Sequence, residues 1–111
     1  MQPRLEKLYR NALVWDAHAG VFPSPEVDLD LLQEWPDSGV DYLSINVGFD
    51  VMDWQDTLAT LAAYRDWVLA LADRFVLVGN TADIDRARSE NKFAVSFDIE
   101  GMNALNGDIN M

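Results

Sequence analysis

The chain has 111 residues, no cysteine, and 19 Asp and Glu against 8 Lys and Arg, giving a formal net charge of −11. That charge disfavours nucleic acid and anionic lipid as partners, and the missing cysteine excludes disulfides, thiolate metal sites and cysteine nucleophiles. Half of the residues are hydrophobic, with 4 Trp, 5 Phe and 3 Tyr, a globular composition on a length that suits one small domain.

The first segment, Met1 to Asn11, is charged and lacks the apolar centre of a signal peptide. Residues 3–11 can form a short helix with Leu5 and Leu8 on one side. Leu13 to His18 reads as a strand, followed by a loop from Gly20 to Pro25 with Pro23 and Pro25 as breakers. Asp28 to Trp35 is a short helix candidate stopped by Pro36 and Gly39. Tyr42 to Phe49 is a second strand. Asp53 can cap a long helix to about Arg74, with Leu58, Leu61, Ala62, Val68, Leu69 and Ala72 as its apolar stripe. Phe75 to Val78 is a short extended segment. Thr81 can cap another helix, with Asp83 and Asp85 early and Arg86, Arg88 and Lys92 late, as the helix dipole favours. Phe93 to Ile99 is a third clear strand, and Met102 to Met111 shows no recognisable ending. The longest apolar run, Trp67 to Ala72, is far shorter than a membrane span. The expectation is a soluble, cytoplasmic chain.

Strands separated by helices imply a parallel α/β sheet. Side chains alternate faces along a strand. Leu13, Trp15 and Ala17 then oppose Val14, Asp16 and His18. Leu43, Ile45, Val47 and Phe49 oppose Tyr42, Ser44, Asn46 and Gly48. Phe93, Val95, Phe97 and Ile99 oppose Ala94, Ser96, Asp98 and Glu100. Each strand has one bulky apolar face and one smaller or polar face. An open doubly wound sheet is apolar on both faces, whereas a closed barrel has helices only outside and its active site at the C-terminal strand ends. The pattern favours the barrel, with Asp16, His18, Asp98 and Glu100 all pointing inward. A complete (β/α)8 TIM barrel needs about 250 residues, so residues 1–111 are expected to form a single partial domain, the opening βα units.

His18 is the only histidine. A lone histidine is more often structural, but this one ends a strand two residues after Asp16 and precedes a Gly/Pro loop. Neutral imidazole is a good zinc ligand, and a nearby carboxylate can orient it. Glu100 ends the third strand in Asp98-Ile99-Glu100-Gly101. It is either a solvated strand-end carboxylate, a helix cap, or a bridge between two metals roughly 3.5–4 Å apart. Asp16 and Asp98 read as groups that orient ligands rather than as ligands. Asn46 and Ser44 face the same interior as packing or hydrogen-bonding residues. Gly48 and Gly79 stand alone, so no phosphate-cradling loop is present, and no serine has a nucleophile-elbow context.

Val14-Trp15-Asp16-Ala17-His18-Ala19-Gly20 resembles the opening Asp-x-His-x-Asp strand of the membrane dipeptidase (renal dipeptidase) family. Asp28-Leu29 with Asp37-Ser38-Gly39-Val40 resembles the segment leading to its second strand. Ala82-Asp83-Ile84 through Phe93-Ala94-Val95 to Ile99-Glu100-Gly101 resembles its helix–strand–Glu-Gly block. The resemblance runs in order over nearly all of the chain. It implies a metal-dependent TIM barrel that hydrolyses dipeptides, often with two zinc ions. By resemblance His18 matches the first-strand zinc ligand and Glu100 the metal-bridging glutamate. The family's second first-strand ligand, an Asp, falls on Gly20, which has no side chain to ligate with. The later histidine ligands have no counterpart within these residues.

The resemblance therefore implies part of a zinc-dependent dipeptidase-like hydrolase, with one or two zinc ions in the complete enzyme and weak or absent zinc in residues 1–111 alone. The expected partner of the complete enzyme is a dipeptide or related small molecule; the charge argues against nucleic acid and membrane, and a homo-oligomer stays open. Two alternatives stand beside it. One is a non-catalytic or altered-metal barrel relative, as Gly20 suggests. The other is a small acidic α/β interaction domain with both sheet faces covered.

Overall fold

The structure, a computed structural model, describes residues 2–110. Met1 and Met111, part of the single unit expected from the sequence, lie outside the described residues. The elements follow in the order α1 (Pro3–Asn11), β1 (Trp15–Ala19), α2 (Glu34–Ser38), β2 (Tyr42–Asn46), α3 (Trp54–Ala70), β3 (Phe75–Leu77), α4 (Thr81–Ser89) and β4 (Phe93–Asp98). Short 3-10 turns cover Leu29–Gln33 and Asn103–Leu105. The second of these lies in the segment where the sequence shows no recognisable ending.

Pro36 does not stop the second helical segment. It sits in the first turn of α2, where a backbone N–H has no intrahelical partner to lose. The stop is Gly39, whose φ of +95° suits a residue without a Cβ. Helix α3 begins as expected, with the Asp53 carboxylate accepting from the Asp56 N–H at 2.8 Å. Its buried side matches the expected stripe only in part, at Val68 and at Leu61, which packs against the core. Thr57, Thr60, Tyr64 and Val68 face the sheet, while Leu58 and Leu69 are half exposed. The helix carries apolar residues on two sides, and the side with the large ring of Tyr64 takes the core.

All four strands are parallel, in the order β1-β2-β4-β3. The pairing of β2 with β4 is regular: Tyr42 with Ala94, Ser44 with Ser96, Asn46 with Asp98. On the outer face Leu43, Ile45 and Val95 are fully buried beneath Tyr64 and Val68 of α3 and Leu29 and Leu32 of the first 3-10 turn. Each such aliphatic side chain contributes about 1.5–3 kcal/mol by leaving water.

The sequence pattern predicts helices on the outer face only. The structure departs from this in α4. Strand β3 lies beyond β4, so the chain crosses the sheet outward and returns. Right-handed connections in both directions require their helices on opposite faces. Helix α4 accordingly sets Ala87 against Tyr42, Val76 and Ala94 on the inner face, at the N-terminal ends of the strands. It forms a floor there and leaves the C-terminal half of that face open. Among the described residues no helix is long and apolar enough to cross a membrane.

Candidate functional site

The open half of the inner face is built by β1, β2 and β4. In β1 the register slips: Asp16 pairs with Leu43, but Ala19 pairs with Ile45. Three steps on β1 therefore match two on β2, which is a β-bulge. It changes which side chains point inward. Trp15 lies on the inner face, edge-on to Tyr42 at 5.0 Å. Asp16 lies on the outer face, where its carboxylate accepts from the Trp35 indole N–H at 3.0 Å. After the bulge His18 faces inward, and Ala19 again packs into the outer core.

The sequence expectation that Asp16, His18, Asp98 and Glu100 converge thus holds for three residues and is corrected for Asp16. Strict alternation placed Asp16 and His18 on one face; the bulge separates them. His18 Nδ1 stands 2.7 Å from Asp98 Oδ1, and Nε2 stands 3.6 Å from Glu100 Oε2. The Asn46 amide reaches Nε2 at 3.4 Å, while its oxygen accepts from the Gly48 N–H. The other oxygen of Asp98 accepts from the Ser44 hydroxyl at 2.6 Å. Behind Ser44 come Ser96, at 3.4 Å, and Tyr42, whose hydroxyl is 2.5 Å from that of Ser96. The hydrogen bond that His18 Nδ1–H donates to Asp98, reinforced by the carboxylate's charge, holds the His18 pKa above the ordinary imidazole value, and Glu100 adds to it.

Asp50 has no counterpart among the residues singled out from sequence. Its carboxylate accepts from the Met102 N–H at 2.8 Å and the Asn103 N–H at 3.1 Å. A Cβ at Gly101, whose φ is +83°, would collide with that carboxylate. The Asp50 clasp thereby fixes the turn that follows Glu100, and the glycine directly after a strand-end glutamate is the sequence signal for it. Gly20, where the resemblance expects a carboxylate, has a φ of +142°, a conformation that side-chain-bearing residues rarely adopt.

Zinc bonds of about 2.0–2.2 Å in tetrahedral geometry place two ligand atoms about 3.4 Å apart. The 3.6 Å between His18 Nε2 and Glu100 Oε2 suits that spacing. Asp98 on Nδ1 leaves Nε2 as the free ligating atom. The donor set is nevertheless short, because among the described residues no group of three His, Cys, Asp or Glu gathers to hold a metal, and a catalytic zinc takes three protein ligands. These residues fit two positions of such a site.

A shallow cavity of about 270 Å³ opens beside the pair, lined by Gly20, Pro23, Asn46 and Phe49 with His18 and Glu100. A larger hollow, about 500 Å³, lies at the opposite end of the strands near Arg10, Arg74 and Lys92. Arg10 and Lys92 there are paired with Glu6 and Glu90, and Arg74 binds Gln33 and Asp30, so its cations are already engaged with neighbouring side chains.

No protein-family model and no curated protein matches this sequence. Among solved structures the chain is similar to an amidohydrolase from Pseudomonas aeruginosa, with a TM-score of 0.76 at 19% identity over 95% of this chain. The chain spans 31% of the length of that protein. The likeness shows the fold alone: an α/β arrangement with parallel strands alternating with helices.

Proposed function

We propose that the chain is the opening part of a zinc-dependent, dipeptidase-like hydrolase, in which His18 and Glu100 are metal ligands. The observation that carries the reading is His18 itself: its Nδ1 is held by Asp98 at 2.7 Å and its Nε2 faces Glu100 at 3.6 Å. When bound, zinc supplies a more acidic water and a polarised scissile carbonyl. The residues of this chain prepare the place. Asp98 keeps a proton on Nδ1, so Nε2 offers its lone pair. Glu100 presents a carboxylate on the opposite side, able to bridge. The turn clasped by Asp50 keeps Glu100 at the strand end. The neighbouring cavity is of a size for a small substrate such as a dipeptide.

One observation favours a variant of this reading. Gly20 removes a carboxylate that the resemblance expects, which suits a relative with an altered or single-ion metal site. The interaction-domain reading fits less well, since α4 covers only the end of the inner face near Tyr42 and Ala94, and the His18–Glu100 end stays open.

The test is hydrolysis of dipeptides with added zinc, by the 111-residue chain and by a longer protein carrying it. The chain alone is expected to be inactive for want of a third ligand. The longer protein is expected to be active and to lose activity in His18→Ala and in Glu100→Gln. Full activity in both variants would place the site elsewhere.

A further inference from the structure

The hydroxyls behind Asp98 form a line that ends at the imidazole, and proton counting gives that line a direction. Ionised Asp98 only accepts, so Ser44 donates its one proton to Asp98 Oδ2 at 2.6 Å. The Ser44 oxygen is then left to accept, and Ser96 donates to it at 3.4 Å. Ser96 has no second proton, so Tyr42 must donate to Ser96 at 2.5 Å. On the other side of the carboxylate, His18 must donate from Nδ1 at 2.7 Å. Every group in the line has its proton assigned by the charge on Asp98, and neutral His18 is left with its lone pair on Nε2, toward Glu100.

We propose that Ser44, backed by Ser96 and Tyr42, is a positioning residue that fixes the Asp98 carboxylate and thereby the Nδ1–H tautomer of His18. This rests on the reading of His18 as a metal ligand, but it makes a separate claim about the metal-free protein. Ser44 and Tyr42 are both buried, so water does not readily replace a lost hydroxyl. Without Ser44 the carboxylate loses its only side-chain partner other than His18. It is then free to turn about its Cβ–Cγ bond, and the imidazole is no longer held to one tautomer. The line starts at Tyr42, which α4 covers through Ala87, so the packed floor of the inner face and the ligating atom belong to one hydrogen-bonded unit.

The test is nitrogen-15 NMR of the metal-free chain, whose only imidazole is His18, together with competitive zinc titration. Wild type is expected to show the Nδ1–H form as the dominant neutral tautomer. Ser44→Ala should shift it toward the Nε2–H form and lower zinc affinity about tenfold. Ser44→Thr, which keeps the hydroxyl, should restore both. If circular dichroism shows that Ser44→Ala unfolds the chain, Tyr42→Phe decides: it should shift the tautomer ratio in the same direction by less. An unchanged ratio in the folded Ser44→Ala chain, or in Tyr42→Phe where that variant decides, overturns the proposal. A tautomer shift together with a longer protein carrying the chain that binds no zinc, His18 and Glu100 intact, would uphold the positioning role and overturn the metal reading instead.

Discussion

Two aspartates lie two residues before the two proposed ligands, and the structure gives them different work. Asp98 touches the His18 ring; Asp16 touches Trp35 on the other face of the sheet. Asp98→Asn is therefore expected to lower zinc affinity about 10–100-fold, while Asp16→Ala leaves it within about twofold and costs about 1 kcal/mol of stability through the lost Trp35 bond. Zinc titration and urea unfolding of both variants separate the two roles. Gly101→Ala should destabilise by about 1–2 kcal/mol from its positive φ alone, and more from the overlap with Asp50. Adding Asp50→Ala should relieve only the overlap, which a double-mutant cycle in urea will read as coupling. At this scale the convergence of His18, Asp98 and Glu100 was legible in the sequence because each stands at or just past a strand's C-terminal end. Asp16 was misplaced because a bulge adds one residue without altering composition, and period-two counting carries the error through the strand.

Among the elements, α4 shows how much local chemistry the sequence reveals. Its acidic start and basic end were plain, but the cap is Asn80 rather than Thr81. Asn80 accepts from the Ala82 N–H at 2.9 Å, and Asp83 accepts from the Asn80 N–H at 3.1 Å and the Gly79 N–H at 2.8 Å. Asn80→Ala is expected to cost about 1 kcal/mol. Hydrogen bonds from Gly79 first, then Arg86 and Asn80, hold the Asp83 pKa below the ordinary aspartate range. Because folding lowers this pKa, ionised Asp83 stabilises α4 at neutral pH. That contribution is lost as the pH falls through the lowered folded value. Thermal melts between about pH 5 and pH 2 should show a shallower acid loss in Asp83→Asn than in wild type. In α3 the sequence shows apolar residues around more than one side, and periodicity alone picks the side with Leu58 and Leu69. The structure buries Thr57, Thr60 and Tyr64 beside Val68, with Thr57 set directly against Gly48, where a Cβ would collide with it.

For the molecule as a whole, parallel strands were legible from the helices between them and an asymmetric sheet from alternating bulky and polar faces, and the likeness to an amidohydrolase agrees with the α/β arrangement. The position of β3 was not. Phe75–Leu77 is three residues long, too short to display a face pattern, and nothing in its composition says which edge it takes. Its place beyond β4 sends α4 to the inner face and closes the floor beneath Tyr42. Above that floor the chain offers one imidazole and one carboxylate at the spacing of two ligands of a single ion. The most direct test of this account is a competitive zinc titration of the 111-residue chain beside His18→Ala and Glu100→Gln. The account predicts weak zinc binding by the wild-type chain, lost in each variant with the fold retained by circular dichroism. Zinc binding of equal strength in all three proteins would contradict it.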